Sequence, residues 1–385
     1  MPKVLRRWSL VLALALMVLP GARVFSDPAG GGIGGLGIHP GGIGGTGIHP
    51  GGIGGTGITA LGVIQRFGSI YVNGQEYVLS PQTRYSVDGA AGTAKDLRLG
   101  DRVTVQAAAD GQAVAQVVRV EHAVIGRVTE VQAAKRQFTI LGETIQAGKM
   151  TPITVRNSNQ SLPFAALKTG DVVSVSGLDQ GNGHWLATEI CRRYPADAAP
   201  ARVPLLLRGR VDAIHPGQNT LEVGATKLKV NGTLLRAIQV GQSVVVRGEY
   251  TDGKTRAESV NPSALAAQEV GNRVSLLGYL DRGTDGWTTH GVSLVENHHT
   301  LYENGDAADM RAGSMVAIEG RVQAPGVVNA ERVIFSVNPM DFDFPIIPRM
   351  PVLPPVLHHP EIERPEFGPP EIEPLVERPE LPDND

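Results

Sequence analysis

Sulfur and aromatic rings are scarce in this 385-residue chain, which has one cysteine, Cys191, and only 5% aromatic residues. A lone thiol makes no internal disulfide, so the fold must rest on its core even where the compartment is oxidising. Cys191 follows Leu186-Ala187-Thr188-Glu189-Ile190, which alternates like a strand, and it reads as a buried inert thiol rather than a nucleophile. Few aromatics also mean few stacking platforms, which argues against a single-strand nucleic-acid binder. Long apolar runs are missing too. The stretch Leu10 to Leu19 falls well short of the roughly 20 residues a membrane-spanning helix needs. There is no His-Glu-x-x-His, no Gly-x-Ser-x-Gly and no phosphate-binding loop, so metalloprotease, serine hydrolase and nucleotide-hydrolase signatures are all missing.

What is present begins with a leader. Lys3, Arg6 and Arg7 precede the apolar run, Pro20 breaks it, and Val24 and Ser26 sit three and one before a cut after residue 26. This is the pattern of a secretory signal peptide over 1–26. It predicts an exported chain, periplasmic or extracellular, with no transmembrane segment. The formal charge is −3 for the whole chain, and removing Lys3, Arg6, Arg7 and Arg23 with the leader gives −7. The tail 339–385 carries eleven acids and three arginines, a net −8, leaving 27–338 at +1. A near-neutral body lacks the electrostatic footprint of a general nucleic-acid binder.

Both ends have biased composition. Residues 31–60 are three decapeptides, GGIGGLGIHP, GGIGGTGIHP and GGIGGTGITA. Each contains a Gly-x-Gly-x-x-Gly, but a dinucleotide fingerprint needs a preceding strand and a following helix, and here more glycine follows. The glycine-rich stretch 27–60 therefore reads as a disordered spacer, with self-association of the isoleucines as an alternative. His39 and His49, with His358 and His359 in the tail, make only a weak metal signal, because zinc sites draw on a rigid frame. Thirteen of the 27 prolines fall within 339–385. That segment is expected to be an extended, disordered acidic tail.

Between the ends a pattern L/I/M-x-x-G-x-x-V-x-V/I recurs at Gly100, Gly170, Gly241 and Gly313, spaced 70, 71 and 72 residues apart. A fixed period means one unit used repeatedly. Each copy opens with a glycine among β-formers, at Gly62, Gly126, Gly209 and Gly278, and a second strand ends near Gly74, Gly142, Gly224 or Gly291. The signature glycine suits a positive φ in a tight turn, and the alternating valines after it suit a strand with one buried face. The expectation is an all-β chain of four tandem, small, five-stranded OB-like barrels at 61–121, 122–195, 205–262 and 273–338, with linkers at 196–204 and 263–272. Closure removes free sheet edges. An SH3-like barrel or a small sandwich fits the same strand count.

The run Gly62-Val63-Ile64-Gln65-Arg66-Phe67-Gly68-Ser69-Ile70-Tyr71-Val72-Asn73-Gly74-Gln75-Glu76-Tyr77, followed by Leu97-Arg98-Leu99-Gly100-Asp101, resembles the bacterial exported domain family of unknown function DUF5666. The match is best over 62–106 and weaker in the other three units. The resemblance implies an envelope or secreted β-domain protein and brings no catalytic residues with it.

The body histidines, His122, His184, His215, His290, His298 and His299, read as solvated loop residues. The acids Glu76, Asp101, Asp171 and Glu189 read as turn or strand-face groups. No catalytic, cofactor or metal residue is assigned. Trp185, Trp287, Tyr71 and Tyr77 are the residues able to stack on sugars. The functional expectation is a non-enzymatic envelope protein, beads on a string, acting as structural or binding modules toward an envelope protein or polysaccharide. An oligosaccharide-binding module and a metal-binding or hydrolytic protein are the alternatives. Convergence of histidines and acids in one pocket would favour the last. Because the repeated glycines and valines are turn and core residues, function should lie in what differs between units.

Overall fold

The computed structural model describes residues 57–108, 112–158, 160–251, 254–263, 268–283, 286–335 and 337–339. The leader, the decapeptides up to residue 56 with His39 and His49, and the tail from residue 340 with His358 and His359 lie outside the described residues. What is described is mostly β-strand. Repeat 1 holds β1 (Gly57–Phe67), β2 (Ile70–Val72), β3 (Gln75–Tyr77), β4 (Arg84–Val87), β5 (Ala90–Gly92), β6 (Arg102–Ala108) and β7 (Val114–Val120). Repeat 2 holds β8 (Val124–Gln132), β9 (Gln137–Ile140), β10 (Glu143–Ala147), β11 (Ile153–Val155), β12 (Val172–Gly181) and β13 (His184–Tyr194). Repeat 3 holds β14 (Val203–His215), β15 (Thr220–Val223), β16 (Thr226–Lys229), the single-turn α1 (Gly232–Leu235), β17 (Ser243–Thr251) and β18 (Lys254–Pro262). Repeat 4 holds β19 (Arg273–Tyr279), β20 (Asp281–Arg282), β21 (Trp287–Thr289), β22 (Val292–Val295), β23 (Leu301–Glu303), β24 (Met315–Ala324) and β25 (Val327–Phe335).

Each repeat closes on itself. In repeat 2, β8 pairs with β9 and β9 with β10, both antiparallel; β10 runs parallel to β13, β13 pairs with β12, and β12 returns to β8. Repeat 3 makes the same ring through β14, β15, β16, β18 and β17. Repeat 4 follows it with β22 parallel to β25, and repeat 1 closes through a parallel bridge between Val78 and Val114. Ring closure leaves an interior filled by alternate strand residues such as Val103, Val173, Val244 and Val316, all essentially inaccessible. Each fully buried valine, leucine or isoleucine contributes about 1.5–3 kcal/mol.

The repeated residues have repeated jobs. At the signature turn Gly100, Gly170, Gly241 and Gly313 have φ between 83° and 96°, a left-handed conformation that strains any side chain. Their N–H groups donate to Ile64 O, Val128 O, Val211 O and Leu280 O of the first strand, each at 2.8 Å, tying the turn to the barrel wall. In the hairpins β2–β3, β9–β10 and β21–β22 both turn residues have positive φ, at Asn73-Gly74, Leu141-Gly142 and His290-Gly291. That is the turn whose twist matches its flanking strands. The last hairpin of every repeat carries a register shift, between Gln106/Ala107, Ser176/Gly177, Arg247/Gly248 and Glu319/Gly320.

The barrels are not beads on a string. Strand β1 runs parallel to β19, from Ile58↔Arg273 to Leu61↔Leu276, so repeats 1 and 4 share one sheet. Repeats 2 and 3 share another through Ile125↔Leu206 and Val124↔Leu207 of β8 and β14. An apolar cluster of Val63, Leu178, Leu277, Ala317 and Ile334 joins repeats 1, 2 and 4. The reason in repeat 1 is that β2 pairs with β1 only from Ile64 onward, so residues 58–61 have β6 on one side and a free edge on the other, which β19 takes up. Repeat 1 also starts earlier than its glycine-valine pattern indicated, because residues 57–60 of the third decapeptide form the start of β1. Thr59 and Ala60 are paired on both sides, with β6 and with β19. Proline cannot donate in such a central strand, which explains why this copy has Thr-Ala where the first two have His-Pro.

Candidate functional site at the junction of the repeats

The signature turn of repeat 1 does more than close its barrel. It is docked on β13 of repeat 2, where the Thr188 hydroxyl donates to Gly100 O at 2.6 Å. The next residue, Asp101, caps its own turn by accepting from Arg98 N at 2.7 Å and receives the Ser176 hydroxyl from β12 at 3.3 Å. Next to it lies His122, in the three-residue connection between β7 and β8, and Glu189 from β13. One ligand-capable atom from each of Asp101, His122 and Glu189 falls within 4.8 Å of the others. The three residues are 0%, 3% and 0% exposed.

A third acid orients the imidazole. Asp88, in the turn between β4 and β5, has Oδ2 at 2.6 Å from His122 Nδ1 and accepts the His122 backbone N–H at 3.0 Å. Burial works against ionising Asp88, but the His122 charge and hydrogen bonds, with Arg208, overcome it and hold the carboxyl below the usual range. Its oxygens are therefore acceptors, and Nδ1 carries the donated proton. That leaves Nε2 facing inward, without a hydrogen-bond partner among the described residues. Glu189 Oε1 accepts from the Thr154 hydroxyl at 2.8 Å, while Oε2 has no partner among the described residues. Burial pushes both carboxyls upward, and for Glu189 the nearby Asp101 charge adds to it. Burial opposes charge on His122 as well, but Asp88, Asp101 and Glu189 together raise its pKa.

Repeat 3 clamps the outside of this group. Arg208 Nε donates to His122 O at 2.8 Å, and its two terminal nitrogens lie 3.7 Å from Asp88 and 3.6 Å from Glu121. Arg247 donates to Asp88 O at 2.9 Å. Glu121 also meets Arg102 at 3.3 Å and the Thr104 hydroxyl at 3.0 Å. Side chains of three repeats thus converge on one buried polar knot. Charges taken out of water are tolerated only when paired and hydrogen-bonded, and the arginines meet that need on the Asp88 and Glu121 side.

The remaining histidines separate. His184 is exposed, His215 meets Glu222 at 3.0 Å, and the rings of His298 and His299 lie 3.8 Å apart, tilted at 45°, in an exposed turn rather than in a strand. His290 lies over Gly278 and donates through Nε2 to Leu277 O at 2.8 Å. Solvation thus fails for His122, which three repeats enclose, and for His290, which is half-buried in a hairpin turn and bonded to Leu277 O. Asp171 takes the place of Asp101 in the repeat 2 turn, accepting from Lys168 N and Ala196 N at 3.0 and 2.8 Å. Cys191 is buried, and burial pushes its thiol up, as expected of an inert group. Trp185 and Tyr77 are buried; Arg66 covers the Tyr71 ring at 3.8 Å and Arg282 covers Trp287 at 4.6 Å. The four aromatics therefore present no common open face for a sugar.

Asp88 carried no signal in the sequence, and Asp101, His122 and Glu189 are too far apart in the chain for spacing to join them. The legible hint is positional: where Glu189 stands, the other repeats have Val117, Ser259 and Arg332. Among known families, the model described as domain of unknown function DUF5666 matches 58–119, 125–191 and 277–334, which are repeats 1, 2 and 4. Repeat 3 has the same ring of strands without a match. No curated protein matches the chain. Among the described residues no helix is long and apolar enough to cross a membrane.

Proposed function

The chain is a DUF5666-repeat protein, and we propose that it is an exported, non-enzymatic envelope protein whose fused barrels serve as one structural or binding body. The observation that carries this reading is the enclosure of Asp101, His122 and Glu189 at 0%, 3% and 0% exposure. A general acid or base must come within hydrogen-bond reach of a substrate, and these groups are enclosed in the joint between repeats instead. The ring order of first, second, third, fifth and fourth strands favours the OB-like form of small barrel. Export rests on the basic, apolar and small-residue pattern of 1–26. Glycan binding is the second reading, weakened by the burial of Trp185 and Tyr77.

The test is cell fractionation with pull-downs against envelope protein and polysaccharide fractions, using the full mature chain and a version lacking 30–56, which leaves β1 whole. Recovery in the envelope fraction with equal retention of both versions supports the reading. Cytosolic recovery would overturn export, and loss of retention on truncation would move the binding role from the barrels to the decapeptides.

A further inference from the structure

We propose that Asp101, His122 and Glu189 form a structural binding site for one divalent transition-metal ion, Zn²⁺ foremost, that staples repeat 1 to repeat 2. This goes beyond the envelope role and does not depend on it. The donor set is one imidazole and two carboxylates whose ligand atoms lie within 4.8 Å of one another, a combination suited to zinc and its first-row neighbours. Two of those donors are fully enclosed yet unused: His122 Nε2 and Glu189 Oε2 have no hydrogen-bond partner among the described residues. Unpartnered buried polar atoms are rare in folded proteins and ask for an explanation such as an ion.

The surroundings are those of a metal ligand shell. Asp88 holds Nδ1 of His122 at 2.6 Å, the carboxylate–histidine arrangement that fixes the tautomer and raises the basicity of the ligating nitrogen. Thr154 holds the other oxygen of Glu189, and Arg98 N with the Ser176 hydroxyl holds Asp101. Each ligand is thus pinned by a second group. The cross-strand pairing also sets this glutamate apart. The equivalent cross-strand pair in repeat 4 is Glu319 with Arg332, whereas in repeat 2 Ser176 faces Glu189, and the positive charges that act on Glu189 come from His122 and Arg98 rather than from a cross-strand arginine. The competing occupant is a proton shared between the two carboxyls.

The full-length chain is stripped with chelator at pH 7.5, reloaded with ZnCl₂, desalted and analysed for metal, with thermal unfolding measured before and after loading. Wild type is expected to retain one zinc per chain and to unfold at a higher temperature when loaded. Glu189→Gln is expected to lose that zinc and the shift, and Asp88→Asn to bind about 10- to 100-fold more weakly. Absence of retained metal in wild type overturns the site in favour of the shared proton. Equal uptake by wild type and Glu189→Gln also overturns it, assigning the metal to the histidines of the two ends. Should the variants fail to fold, X-ray absorption of zinc-loaded wild type decides: one imidazole with oxygen ligands supports the site, and two or more imidazoles contradict it.

Discussion

Repeats 2 and 4 have the same strand ring and the same bulge, yet they neutralise the same position in opposite ways. Just before the bulge glycine, repeat 4 sets Glu319 across from Arg332, 3.5 Å apart, and Arg332 makes two further bonds to Glu303 at 2.7 Å. Repeat 4 thus pairs its charges within its own barrel, although Glu319 Oε2, like Glu189 Oε2, has no hydrogen-bond partner among the described residues. Repeat 2 sets Ser176 across from Glu189, and the charged groups that act on Glu189 from beyond its own barrel are Asp101, His122 and Arg98. The lesson is that a repeat becomes a building block of something larger where its local charge account is left open.

The largest expected effect comes from opening the account in repeat 4. Arg332→Leu strands Glu303 and Glu319 and should cost about 3 kcal/mol, read by urea unfolding at pH 7.5. Next come the features the two repeats share. A Cβ at Gly177 or Gly320 would press on the facing carbonyl oxygen, Leu186 O or Asn329 O. Gly177→Ala and Gly320→Ala should each cost about 2 kcal/mol, and a large inequality would mean the bulges are not equivalent.

A smaller effect separates the hairpins, where repeat 4 has His290 and repeat 2 has Leu141. Burial, helped by the Arg102 charge, lowers the His290 pKa to about 4. A base with a lowered folded pKa leaves stability whole above the unfolded value near 6.5 and removes it as pH falls toward 4. The loss should be on the order of 1–2 kcal/mol, allowing for solvent screening of a half-buried residue. His290→Asn should flatten that slope and keep the bond to Leu277 O, because Asn73 makes the same bond to Leu61 O in repeat 1. An unchanged slope in the variant would contradict the assignment.

Much of each barrel was legible in the sequence. Alternating valines marked the strand after Gly100, Gly170, Gly241 and Gly313, and positive φ was the physical reason for those glycines. Pairing between repeats was not legible, because a strand such as β1 looks the same whether one edge or both are paired. Its true start did leave a trace, the exchange of His-Pro for Thr59-Ala60. His122 was misread because its neighbours Glu121 and Ala123 look like an exposed connection. Its burial is imposed by Arg208, 86 residues later, and no local pattern carries that information. Glu189 was visible only as the odd residue at a repeated position, which is where the repeats were expected to differ in function.

The comparison turns on whether Glu189, unlike Glu319, lacks a paired arginine. Thermal unfolding of chelator-treated Glu189→Gln and wild type, each with and without zinc, tests this most directly. The account predicts that without metal the variant is as stable as wild type or gains about 1 kcal/mol by shedding a buried charge, and that zinc stabilises wild type alone. A metal-free variant that loses stability as Arg332→Leu does would show that Glu189 is already satisfied within the chain, and would contradict the account.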